Sequence, residues 1–344
     1  MTIQQARPRR MSVQANRIGI AMLLAALIAL VVALWLGHGA PKRDSTGLAD
    51  TGLLTAWAQP LLRLVTDIAA IGCIGALVAA LVLLPADGGQ LRSPGKRTVD
   101  HAALFAGIWS LAALAQSVVA GAVILGIRLS ALPDRLSDAV ALKDVRVLAI
   151  SAVWAAFVAA AVSGTDTKLG AGTGLVLAIG GLVPPLFVGH AWGDQIRIPA
   201  VGSRILHVFA AAVWIGGLAA VARYGRKLEP SELRVVVTRF SRIALWCAIA
   251  VGLSGLTVAL LHLSGRNGSL GDALNGLFTR AYGGVVLAKM AAFATIVTAG
   301  WWHRRQTIGA LKSGDAGPFW RLVAIELTVM LAAVGLAVAL SRTP

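Results

Sequence analysis

Nine stretches of about twenty predominantly apolar residues run through the chain, at 18–37, 57–84, 99–127, 145–163, 169–190, 201–223, 236–263, 281–302 and 319–341. Segments richer in Gly, Pro and charge separate them. At 1.5 Å per residue, ~20 helical residues cross a hydrocarbon core of ~30 Å. No water reaches that core, so each stretch must satisfy its own backbone N–H and C=O groups, which at this length means a helix. The expected fold class is therefore all-α: a polytopic transmembrane helix bundle of about nine spans. Composition excludes a soluble globular alternative, since 57% of the 344 residues are hydrophobic and 13% charged, against about 25% charged in soluble domains. The first stretch, Ile18 to Leu36, is longer than a signal-peptide core and no A-x-A-like site clearly follows it, so it is expected to stay as a span.

The formal charge is +16, from 31 Lys+Arg against 15 Asp+Glu. No basic run is interleaved with aromatics, so nucleic acid is not an expected partner; anionic membrane lipid is. With the N-terminus in, 18 of the 31 basic residues fall on the cytoplasmic side, among them Arg7, Arg9, Arg10, Arg17, Arg92, Lys96, Arg97, Arg226, Lys227 and Arg239, and 11 on the other. The excess predicts N-terminus in and C-terminus out, with residues 1–17 as a basic cytoplasmic segment. Cys73 and Cys247 lie singly in apolar stretches without C-x-x-C spacing and read as small packing residues.

That orientation sorts the six histidines. His101 and His303 stand at cytoplasmic helix ends, whereas His38, His190 and His262 close spans on the outer side. His207 lies about seven residues inside the sixth span from its outer end, roughly 10 Å deep. Imidazole suits copper and related transition metals, so His207, His190, His262 and His38 form a candidate metal-ligand set on one side of the membrane. Each is open to the plainer reading of a solvated or hydrogen-bonded helix-end residue. His207 stands apart, because an imidazole inside a span is costly without a partner or a cavity.

Four charges inside spans stand out. Arg63 and Asp67, spaced i,i+4, share a helix face and can neutralise one another; a packing role and a polar-conduit role are both open. Lys289 and Glu326 enter the eighth and ninth spans from opposite sides, so a pairing across helices is expected to lower the cost of burying either. The run GTDTKLGAGTG at 164–174 lacks both G-K-[ST] and G-x-G-x-x-G, and reads as a turn followed by a close-packing helix face. No nucleophilic triad, H-E-x-x-H or C-x-x-C-H is found, and no Met-x-x-Met array exists. An enzyme is not expected.

The run GHAW at 189–192 and LHVFAAAVWIGGLAAV at 206–221 resemble the core signature of the CopD copper-resistance membrane family. RFS at 239–241, SG at 254–255, YGGVVLAK at 282–289 and a last span with Arg321, Glu326 and LSRTP are similar to the rest of that pattern. The resemblance divides the chain into N-terminal transmembrane helices at 18–179 and a CopD-like core at 180–344. It implies that His190 and His207 match recurrent outer-side histidines of the family, and Lys289 and Glu326 its intramembrane charged positions. In actinobacteria-like sequences such a domain is often followed by a CtaG-type cytochrome oxidase assembly domain.

The expected function is copper transport or homeostasis in a bacterial plasma membrane, with copper as cargo and an extracytoplasmic copper carrier or oxidase assembly factor as partner. With no ATP-binding motif in these residues, uphill movement is expected to draw on an ion gradient or a partner. Two rivals stand beside it. One is a redox membrane protein holding b-type haem between His207 and His262, and the other is a non-transporting copper-delivery factor.

Overall fold

The computed structural model describes residues 7–41, 51–187, 198–263, 270–279, 281–302 and 317–342. Its long elements are α1 (Arg7–Leu36), α2 (Leu53–Val78), α3 (Ser93–Leu125), α5 (Lys143–Val162), α6 (Lys168–Gly181), α7 (Ile198–Tyr224), α8 (Pro230–Leu263), α10 (Ala281–Trp302) and α11 (Gly317–Leu340). Two short helices, α4 (Leu136–Ala141) and α9 (Leu270–Thr279), lie between them. Among the described residues, nine helices are long and apolar enough to cross a membrane, and all nine coincide with the expected stretches.

Two helices begin about two turns earlier than hydropathy suggests, α3 at Ser93 rather than 99 and α8 at Pro230 rather than 236. Their first turns, SPGKR and PSELR, are polar but helical, with a proline where a helix tolerates its missing N–H. They extend the helix past its apolar stretch, which an apolarity window cannot register.

The described chain forms two compact units, residues 1–40 with 277–344, and residues 41–276. In the first unit, α11 packs against both α1 and α10. A Cβ on Gly335 would lie 2.2 Å from the Ala26 carbonyl oxygen, so the α1 and α11 backbones meet directly. In the second unit α2 packs against α3 and α7, α3 against α5, and α7 against α8, while α6 touches α2 and α5. The α2–α7 crossing is a glycine contact, since a Cβ on Gly75 would lie 2.2 Å from the backbone of Gly216. Lipid supplies no hydrophobic drive between helices, so close backbone approach and interhelical hydrogen bonds hold such pairs. Ser110 and Ser117 of α3 donate to the Ala152 and Val145 carbonyls of α5, each at 2.8 Å, and Trp154 Nε1 of α5 donates to Leu177 O of α6 at 2.8 Å.

One end of the second unit carries a structure that hydropathy did not foresee. After a π-helical turn at Ala79–Leu83, residues Ala86–Asp87 and Gln90–Leu91 form the two strands β1 and β2 of a hairpin. Gly88 and Gly89 have φ of 53° and 88°, the positive values its two-residue turn requires. Leu91 N–H donates to Asp166 O at 2.8 Å and Lys168 N–H to Gly89 O at 2.9 Å, tying the hairpin to the turn before α6. Arg92 binds Asp87 through two hydrogen bonds of 2.7 and 2.8 Å and reaches Glu232 of α8 at 3.6 Å; Lys96 pairs with Asp166 at 3.3 Å. The guanidinium of Arg92 holds the Asp87 carboxyl below its ordinary range. Within 164–174 the turn-then-helix reading holds. Gly164 sits at φ 73°, and Thr167 caps α6 by accepting from the Gly170 N–H.

Candidate metal centre

His207 lies nine residues, ~14 Å, along α7 from Ile198. Its ring is set against α8. Nδ1 stands 3.2 Å from Val251 O and 3.1 Å from Ser254 Oγ. A Cβ on Gly255 would come within 3.1 Å of His207 Cε1, so glycine here lets the imidazole lie against the α8 backbone. Ser203 Oγ, one turn before His207, donates to Ser254 O at 3.0 Å and fixes the α7–α8 register at this level.

These contacts bear on the tautomer. The Val251 carbonyl can only accept, and the Ser254 hydroxyl hands its own proton to the Ala250 carbonyl, one turn back on α8. Both neighbours of Nδ1 can thus accept from it, which favours a proton on Nδ1. A metal-binding histidine is oriented in the same manner, its second nitrogen donating to a carbonyl or other acceptor.

The other candidate residues are distributed as follows. His190 lies outside the described residues. His262 belongs to α8, whose backbone alone is described there, and it follows Ser254 by eight residues, ~12 Å along the axis. His38, exposed at the end of α1 with φ 57°, belongs to the first unit, whereas His207 belongs to the second. Among the described residues no three His, Cys, Asp or Glu side chains converge as a metal-holding group.

Arg63 and Asp67 form the expected i,i+4 ion pair, with Arg63 Nε 3.1 Å from the carboxylate. The neighbouring Thr66 hydroxyl meets Gln116 of α3 at 3.4 Å in a buried contact. Counting nine residues back from the Gly75–Gly216 contact along two helices of the same direction reaches Thr66 on α2 and His207 on α7. The α2 polar group and the imidazole therefore stand at similar depth.

Lys289 and Glu326 sit on the packed pair α10 and α11, and Glu326 is buried. Among the described residues no ion pair joins the two. Lys289 is 13 residues from Trp302 and Glu326 nine from Gly317, at the neighbouring helix ends.

Sequence reasoning singled out His207 but not Ser254 or Gly255. Both belong to the SG pair at 254–255 noted in the family pattern, which was the available signal. His101 has a partner that was also missed, the Tyr224 hydroxyl at 2.5 Å from Nδ1.

The described fold and site define an all-α polytopic membrane protein with one oriented intramembrane imidazole. Comparison with known proteins shows where this class has a likeness: the family model described as CopD, Copper resistance protein D, matches residues 234–340, a span that takes in α8 to α11. The GHAW and LHVFAAAVWIGGLAAV motifs precede the matched stretch. Among curated proteins the chain is 25% identical over 163 residues to the copper transport protein CutJ of Bacillus subtilis (strain 168). The match takes in 46% of this chain and 29% of that relative, so the chain spans well under two thirds of the relative's length. No solved structure matches. The CopD resemblance rests on these two partial matches.

Proposed function

We propose that this protein accepts copper through an imidazole site built on His207, with His190, and moves the ion across the plasma membrane of a bacterium or hands it on within it. The observation that carries the reading is the orientation of His207: Nδ1 is held against Val251 O and Ser254 Oγ, the kind of second contact that orients a metal-binding imidazole. The family match to a copper resistance protein and the likeness to a copper transport protein support copper as the metal. In this reading the site opens to the outer side. His262 and His38 receive or pass the ion at that surface, delivered by an extracytoplasmic carrier or passed to an oxidase assembly factor. The Arg63–Asp67 pair keeps the interior of its own unit polar enough for a charged cargo; Lys289 and Glu326 are intramembrane charges of the other unit.

The haem alternative, in which His207 and His262 would share one iron, is separated from this reading by an absorption spectrum. The test is uptake of copper into proteoliposomes containing the protein alone, beside the His190→Ala/His207→Ala variant. Uptake by wild type and not by the variant is expected. Binding without uptake would make the protein a delivery factor, and a Soret band in the purified protein would restore the haem reading.

A further inference from the structure

At the hairpin end of the second unit an open groove of ≈ 630 Å³ runs between the π-helical turn of α2 and α6, lined by Leu81, Lys168, Leu169, Gly172, Thr173 and Val176. Leu169, Gly172, Thr173 and Val176 fall at i, i+3, i+4 and i+7, so they form one stripe along α6. Leu169 is 82% and Val176 68% exposed to the surroundings of the protein. Gly172 adds no side chain, and a Cβ there would stand 3.7 Å from Leu81, which forms the floor. Thr173 turns its hydroxyl to Leu169 O at 3.1 Å and so presents its methyl. The stripe is apolar and faces lipid.

Its head is cationic. Lys168 opens α6 at the rim, and Arg239 of α8 reaches the other side of the same π-helical turn, donating to Val82 O at 3.1 Å. The carboxylates nearby are taken: Asp87 and Glu232 by Arg92, Asp166 by Lys96. Among the described residues neither Lys168 nor Arg239 has an acidic partner. A hydrocarbon slot with Lys168 on its rim and Arg239 bound to the adjoining π-helical turn fits one occupant, a phospholipid whose acyl chain lies along α6 and whose anionic headgroup meets Lys168 and lies toward Arg239. We propose that this groove is a specific site for an anionic phospholipid such as phosphatidylglycerol. A zwitterionic headgroup brings its own cation to a site already rich in them, and a free phosphate leaves the apolar slot uncovered.

The whole protein, in mixed micelles containing equal parts phosphatidylglycerol and phosphatidylcholine, is examined by native mass spectrometry for retained lipid. Wild type is expected to retain phosphatidylglycerol in preference, by about fivefold for each cation engaged. Lys168→Gln with Arg239→Gln should bring the ratio near one. Gly172→Phe, which fills the slot but leaves both cations, should lower retention of both lipids, and it serves as the independent arm if the double variant does not fold. Arg92→Gln, at the same end but already paired with acids, should leave the ratio unchanged. Equal retention of the two lipids by wild type would overturn the proposal. So would an unchanged ratio in a folded double variant, or equal thermal stabilisation by soluble glycerol phosphate.

Discussion

Replacing Ser254 by alanine removes one of the two acceptors that hold the His207 Nδ1 proton and leaves the Val251 carbonyl at 3.2 Å as the other. The cost to folding should be small. Interhelical polar contacts in membranes average about 0.6 kcal/mol, and the serine's own donor bond runs within α8, where the Ala250 carbonyl keeps its helical partner. The effect on metal should be larger, because the lost contact fixes ring orientation and tautomer, and partners of this kind are worth about 10–100-fold in metal affinity. With one acceptor retained, the lower end applies. Ser254→Ala should weaken copper binding about tenfold, roughly 1.4 kcal/mol, while the melting temperature moves little. Competition for Cu(I) against a chromophoric chelator gives the affinity, and thermal unfolding in the same detergent gives the stability. An affinity within twofold of wild type in a well-folded variant would show that the His207–Ser254 contact does not orient a ligand.

Gly75→Ala puts a methyl 2.2 Å from the Gly216 backbone, where neither helix has a movable side chain to give way. A loss of about 3 kcal/mol or more is expected, at the upper end of overpacking costs, measured as reduced stability and yield. Since no ion pair joins Lys289 and Glu326, a double-mutant cycle of Lys289→Met and Glu326→Gln should give losses that add within about 0.5 kcal/mol; a strong coupling term would mean that they meet in another state. Asp87 titrates below its ordinary range because Arg92 binds its charged form, so the bond's contribution is complete above about pH 4 and fades as pH falls through the lowered value. Amide exchange in residues 86–91, corrected for intrinsic rates, should therefore rise in acid for wild type, while Asp87→Asn should show the fast rate already at neutral pH.

The spans were legible because hydrocarbon admits one solution for an apolar stretch of that length, and the i,i+4 pair of Arg63 and Asp67 was legible because both charges sit on one helix. What hydropathy does not carry is the rotation and height of each helix against its neighbours. That is why Ser254 beside His207, Gly216 beside Gly75 and Tyr224 beside His101 came only with the structure. The hairpin at 86–91 escaped for a related reason. Its D-G-G turn is visible in sequence, but its two-residue strands hold only because the Asp166 carbonyl and the Lys168 N–H, some eighty residues on, pair with them.

The central claim is that His207 is a copper ligand rather than a packing residue, and copper stoichiometry of purified His207→Ala beside wild type tests it most directly. Loss of bound copper with the fold retained is the predicted result, since the Val251 carbonyl keeps its helical bond and Ser254 keeps its bond to Ala250 when the imidazole is gone. Full copper stoichiometry in a well-folded His207→Ala protein would contradict the account and move the site to His38, His190 and His262.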